Sequence, residues 1–380
     1  MAVAATASAQ TNDTERKLAL TFLSHRSGYT QIYTSHSDGS KPQPFFGGPI
    51  TDIPSFDKSY TMFREPHWTR QSPNGKYFAS WVYEKGKPYS EFQGALRPML
   101  VVGDIRGSWT RNVNPDCHEE FAWSPDSSKL AFSVFATANY QGSLQNRPDI
   151  TEVFTSGIDG ANVTCVLEQA GKWIVLDWSP DGTRLLISRR AFTSKPIGMT
   201  GELFEFQLHQ ALEDRQRAEY DAEWPTKTAL KYLQKVDLGL APLQVNSARY
   251  SPTLNELAIE VCDPQNMYAP NLVPDEDDEF GRERMMRLLS KIYVFDLETK
   301  AHRKIADFDD GIGGPICWSP DGNDVYFSRY LPKDDDREKF AEDKMHGLSI
   351  WAVGRQGNND RLITTGWSPD FPHTEPKDGK

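Results

Sequence analysis

One short pattern recurs along this chain and limits what it can fold into. It reads Trp123-Ser-Pro-Asp, Trp178-Ser-Pro-Asp and Trp318-Ser-Pro-Asp, each followed by a turn and an apolar run such as Leu130-Ala-Phe-Ser. Weaker copies begin at Gln71 and Tyr250, and a truncated one, Trp367-Ser-Pro-Asp, lies near the C-terminus. The serines fall at 72, 124, 179, 251, 319 and 368, so the spacings are 52, 55, 72, 68 and 49 residues. Self-similarity at this period marks a repeat architecture, in which each unit buries its apolar faces against its neighbours.

Each copy has a mechanical meaning. Proline cannot donate to a strand ladder, so it sits where the first strand ends. Asp-Gly or Asn-Gly supplies the positive φ of a tight hairpin turn. The apolar run is the returning strand, buried on both faces. Alternating segments beginning at Ile32, Leu100, Val153, Leu203, Ile292 and Ile350 are third strands, and short fourth strands follow, such as Asn162-Val-Thr-Cys and Arg361-Leu-Ile-Thr. Four strands per unit make a propeller blade. Six third strands predict an all-β, six-bladed β-propeller with partly helical loop insertions. The first blade has no motif ahead of its second strand (Leu18 to Leu23), and the last is followed by a spare Trp367-Ser-Pro-Asp. The C-terminal segment therefore supplies blade one's inner strand, or residues 3 to 11 do so instead. The expected organisation is a tail at 1–14, a propeller at 15–371 and a tail at 372–380.

These repeats resemble the TolB-type propeller repeat, which also occurs in the propellers of dipeptidyl-peptidase-type and prolyl-oligopeptidase-type enzymes. The resemblance spans roughly residues 15 to 370. It implies a free-standing propeller, because the chain has no room for TolB's N-terminal α/β domain. It also carries no G-x-S-x-G elbow for a peptidase domain.

The long connections, Glu84–Pro98, Ala136–Asp149, Ala191–Gly201, Asp263–Ser290 and Leu331–Gly347, all join second to third strands. They share one face, here called the top, with the links between blades. Function on a scaffold of this kind concentrates in such loops. Helical turns are expected within Glu279–Ser290 at the top, and in His209–Tyr220 and Thr226–Lys235 on the bottom face.

Arg189 and Arg329 occupy the same repeat position, with Arg190 beside the first and Arg26 two positions further along blade one. Arginines at the rim attract carboxylates, phosphates or acidic sugars. Tyr83 and Tyr330 lie in or beside the same loops and suit a sugar or peptide ligand. His67, His118 and Glu119 lie just ahead of inner strands, at the channel mouth, where a metal-assisted lyase or a hydrolase would place its chemistry. No catalytic residue can be named, and neither metal nor cofactor is expected. The acidic runs Asp275–Glu279 and Asp334–Asp336 lack the spacing of a calcium loop and read as solvated.

A formal charge of 42 − 53 = −11 excludes a generally basic nucleic-acid binder. No apolar run approaches the length of about 18 residues that a membrane span requires. The four cysteines are far apart and form neither a disulfide framework nor a zinc ribbon. Ala7-Ser8-Ala9 fits the end of a secretory signal whose charged start and apolar run are missing. The expectation is a periplasmic or secreted module for a protein or small anionic ligand, carbohydrate or peptide, bound at the top face. The alternatives are a cytoplasmic location, an enzyme at the channel mouth, and a scaffold subunit.

Overall fold

The computed structural model describes residues 20–24, 26, 31–44, 64–88, 96–104, 110–114, 117–135, 150–194, 197–217, 229–240, 243–262, 288–311, 314–330 and 348–371. They form six antiparallel four-stranded blades. The inner strands of blades two to six are Arg64–Gln71, Cys117–Trp123, Lys172–Trp178, Gln244–Tyr250 and the short Cys317–Trp318. A single pairing, Gly311 with Arg329, joins blades five and six at their edge. Each third strand expected from the sequence is present, at Gln31–Ser35, Leu96–Asp104, Ile150–Gly157, Ile197–Phe206, Leu288–Asp296 and Leu348–Gly354.

The C-terminal segment closes the ring. Trp367–Asp370 lies antiparallel to Leu20–Ser24, pairing Leu23 with Trp367 and Thr21 with Asp370. Only Gly366 separates it from the outer strand of blade six, and this residue makes the tight handover possible. Its φ is +135°, and a Cβ there would stand 2.4 Å from the Leu23 carbonyl oxygen. The backbone conformation and the close approach both demand glycine.

The repeated turn explains its own sequence. Ser124 Oγ donates to Asp126 Oδ1 at 2.6 Å and accepts the Lys129 N–H at 2.9 Å. Ser179 with Asp181 and Ser319 with Asp321 repeat both bonds, and Ser72 with Asn74 does so in blade two. Proline presets the φ of the first turn position. The left-handed position is taken by Gly75, Gly182, Gly322 and, in blade three, Ser127. Burial raises the Asp126 and Asp181 carboxyls, but hydrogen bonds from their serine and from the residues after the turn hold both below the ordinary aspartate range.

Two local expectations change. Ala191–Gly201 is not a loop: strands Leu185–Ser194 and Ile197–Phe206 run on as a hairpin, paired from Leu185–Phe206 out to Ser194–Ile197. Thr193 and Ile197 are β-branched, which suits an extended arm. Helix α1 forms at Leu208–Arg217, overlapping the expected stretch and starting one residue before it, and buries Leu208 and Ala211. The second bottom-face segment is only a 3-10 turn at Ala229–Tyr232, after which Leu233–Val236 joins the sheet edge beside Leu203–Phe206. An open ladder edge offered more hydrogen bonds than a second short helix could. Residues 279–287 lie outside the described residues, and Leu288–Ser290 is strand.

Apolar clusters fill the seams between blades. Between blades three and four, Val153, Val166 and Leu167 pack on Trp173, Val175 and Leu185. At the closing seam Leu20, Phe22 and Tyr33 meet Tyr326, Ile350 and Phe371. The ring therefore coheres through side-chain burial, at roughly 25 cal/mol per Å² of apolar surface.

Candidate binding sites along the channel

The residue just ahead of each Trp-Ser-Pro position belongs to the innermost strand of its blade, beside the central channel. In blades two to six these residues are Arg70, Ala122, Asp177, Arg249 and Cys317. Blade one contributes Asp370, not Gly366, because its Trp-Ser-Pro-Asp copy is displaced by four residues. Asp370 pairs with Thr21 and Trp367 with Leu23. In blade four Asp177 pairs with Leu186 and Ile174 with Ser188. Asp370 thus stands where Asp177 stands, Trp367 where Ile174 stands, and Phe371 takes the place of Trp178.

The ring reads arginine, small residue, aspartate, twice over, and its hydrogen bonds repeat with the same two-fold pattern. Asp177 Oδ2 accepts the Tyr250 N–H at 2.9 Å, and Asp370 Oδ2 accepts the Gln71 N–H at 2.8 Å. Trp123 Nε1 donates to the Arg70 carbonyl at 3.3 Å, and Trp318 Nε1 to the Arg249 carbonyl at 3.1 Å. Each carboxylate or indole therefore ties its blade to a neighbour at the axis.

Glu120 breaks the two-fold pattern. Its counterpart across the ring is Pro315. Arg70 approaches Glu120 at 3.4 Å and Arg249 at 3.6 Å, and all three are buried. Both guanidinium groups also donate to the Leu176 carbonyl. This triad spans the channel. Burial pushes Asp177 and Asp370 up to about 7 each, against the opposing charge of Arg70.

Below the triad a recess opens on the face of the Ser-Pro turns. Its volume is about 860 Å³, including the opening to solvent. Trp123, Trp178, Trp318, Tyr250 and Phe371 wall it together with the turn prolines, over the charged floor of Arg70, Arg249, Asp177 and Asp370. Above the triad lies a buried polar group on blade five. Gln244 Nε2 donates to Asn246 Oδ1 at 3.1 Å, while Gln244 Oε1, Asn246 Nδ2 and Glu260 Oε1 have no hydrogen-bond partner among the described residues. Burial pushes Glu260 up to about 8, with the Glu120 charge adding to it and the Arg190 charge opposing it.

The rim arginines fall at separate places around the top. Arg26 donates to the Thr365 carbonyl at 2.8 Å and to Thr364 Oγ1 at 3.1 Å, bridging blades one and six, and stacks 5.0 Å from the Tyr33 ring. Arg190 donates to the Asn246 carbonyl of blade five at 3.0 Å. Arg329 lies 4.7 Å from the Trp351 ring centroid and 5.4 Å from that of Phe308. Arg189 stacks 5.5 Å from Trp173 beside the link between blades three and four, and its side chain is 42% exposed. The side chains of His67, Tyr83, His118, Glu119 and Tyr330 lie outside the described residues. Among the described residues no group of His, Cys, Asp and Glu is placed to hold a metal, and no helix is long and apolar enough to cross a membrane.

The axial charges Arg70, Glu120, Asp177, Arg249 and Asp370 are absent from the rim set that the loops suggest. Their signal was available for five of the ring positions, since aligning the repeats puts Arg70, Ala122, Asp177, Arg249 and Cys317 in one column. Asp370 and Glu120 have no such signal, the first because its motif copy is displaced and the second because one blade alone carries a carboxylate there.

No protein-family model matches the chain, and no curated protein matches it. Solved structures do. TolB from Acinetobacter baumannii superposes with a TM-score of 0.58 at 9% identity, over 95% of this chain and 68% of that one. A nidogen/laminin complex gives 0.52 at 7% identity, over 93% and 99%. The tricorn protease gives 0.51 at 10% identity, and there the chain spans 93% of its own length but only 30% of the protease. At such identities the likeness speaks for architecture, and by that measure this chain is a six-bladed β-propeller with the fold of the TolB propeller.

Proposed function

We infer that the chain is a binding propeller whose top face receives a protein or small anionic ligand. The observation that carries this reading is the environment of Arg189. Its nearest carboxylate, Glu202, is held at 2.7 Å by Lys235 and stands 3.8 Å from Arg189. The guanidinium is left propped on Trp173 and partly open to solvent. A net charge of −11 repels anions at long range, so only a local cluster of arginines can hold one. Arg190 is the next residue in the chain, and Arg329 holds the same repeat position on blade six. Export to the periplasm or beyond is part of the proposal and rests on Ala7-Ser8-Ala9.

Calorimetric titration with an acidic peptide tests the reading. Arg189→Ala with Arg329→Ala removes two charge-assisted contacts of roughly 1.5–3 kcal/mol each, so affinity should fall at least about a hundredfold. The thermal transition shows whether the ring survives the loss of Arg329 from its aromatic slot. Equal affinity in a folded double variant would overturn the proposal.

A further inference from the structure

The recess on the Ser-Pro face carries a second and independent inference. Its floor is unusual in holding both signs in pairs, Arg70 with Arg249 and Asp177 with Asp370. An anion entering it meets two carboxylates, and a cation meets two guanidinium groups. A ligand bearing both charges meets a partner for each.

Two buried polar side chains at the floor, Gln71 and Arg249, can supply those partners. Gln71 is 6% exposed, its Nε2 donates to the Gly75 carbonyl at 3.4 Å, and its Oε1 accepts no hydrogen bond. Arg249 is 5% exposed, its Nη1 donates to the Ala248 carbonyl at 2.8 Å, and its Nη2 is ion-paired with Glu120 at 3.6 Å. A buried acceptor left unmade costs on the order of 1–3 kcal/mol, so a ligand that donates to Gln71 gains by entering. Gln71 lies against Asp370 through its own backbone N–H. Acceptor and carboxylate there form a corner for an ammonium group, and Arg249 faces the same space as a donor for a carboxylate. The walls are indole, phenol, phenyl and proline, and they call for an apolar body between the two charges.

We propose that this recess binds a small zwitterion with an apolar body, a free amino acid or short peptide, with its ammonium group on Gln71 and Asp370 and its carboxylate on Arg249.

The experiment is calorimetric titration of the full chain with the free dipeptides of alanine, valine, leucine and phenylalanine. The strongest binder is then repeated as its N-acetyl and C-terminal amide forms. Saturable binding is expected for at least one free dipeptide, with each cap weakening it at least about tenfold. Gln71→Met keeps the shape of the side chain and removes the acceptor, and it should weaken the free dipeptide about tenfold while leaving the N-acetyl form unchanged. No saturable binding by any of these dipeptides overturns the proposal, as does a capped form that binds as well as the free one. The capping series uses the unaltered chain, so it decides the matter even if the variant fails to fold.

Discussion

Blade four is built from one uninterrupted stretch of chain, whereas blade one borrows its inner strand from the opposite terminus. Both nevertheless place a carboxylate at the same point of the axis, accepting the backbone N–H of the following blade at 2.9 and 2.8 Å. They reach it by different spellings. In blade four the aspartate precedes Trp-Ser-Pro, and in blade one it is the last residue of that motif. The hydrogen bond is what the ring needs, and the motif is one way of supplying it. A copy of a repeat is therefore a statement about ancestry or composition, and register has to be read from pairing.

The largest break in this comparison comes from removing the borrowed strand. Deleting residues 361–380 takes the outer strand from blade six and the inner strand from blade one together. Leu20–Ser24 then becomes an unpaired inner edge, and Phe22 and Tyr326 lose Phe371 and Ile363 from their cluster. Thermal unfolding should shift down by more than about 10 °C or lose its cooperativity. A truncated chain that melts with the full one would show that the ring does not depend on this closure.

A finer test asks which aromatic in blade one does the work of Trp178. Phe371 is 3% exposed and packs edge-on to Tyr326 with ring centroids 4.9 Å apart. Phe371→Ala should cost about 3–5 kcal/mol, the range for a large buried aromatic. Trp367 carries the motif but is only partly buried. Trp367→Ala should cost about 1 kcal/mol, the centre of the ordinary range. Urea midpoints of the two variants settle the order, and a larger loss at Trp367 would restore the motif as the true guide.

The same contrast explains what was legible beforehand. Strand count and blade count follow from the repeat, because a Ser-Pro-Asp turn has one local geometry wherever it occurs, whereas the repeat left two candidates for the closing strand and the pairing of Trp367 with Leu23 decides between them. The turn is written in neighbouring residues, as Ser179 and Asp181 show. The axial charges follow from packing at long range. Arg70 meets Glu120 across 50 residues and the Leu176 carbonyl across 106, and no local pattern encodes such meetings. The rim arginines were legible as a repeat column, but their partners were not. Trp351 beside Arg329 and Asn246 beside Arg190 come from other strands or other blades. The misread segment at 229–236 has the same cause, since a sheet edge captured residues whose local preference allowed a helix.

The last effect expected is the one that joins the two blades. Asp177 and Asp370 titrate near 3.8 when unfolded, and burial pushes both up to about 7 in the folded ring. Between these values the folded chain holds protons that the unfolded chain has released. Stability from this pair is therefore greatest below about pH 4 and declines as the pH rises, becoming level above about 7. Glu260, up to about 8 from 4.5, extends the decline slightly further. The turn aspartates, held low, are already ionised above pH 5 and do not obscure this window. Asp177→Asn and Asp370→Asn keep an oxygen to accept the Tyr250 and Gln71 N–H groups but cannot titrate. Each should flatten the fall in urea midpoint between pH 5 and pH 8, and the double variant should retain only the part due to Glu260. The charge of Asp370 raises Asp177, so the single Asp370→Asn change should also shift the remaining fall to lower pH. Equal slopes in the wild type and both single variants would mean that the two aspartates are not matched in their burial, and the equivalence of blades one and four would then hold for the backbone alone.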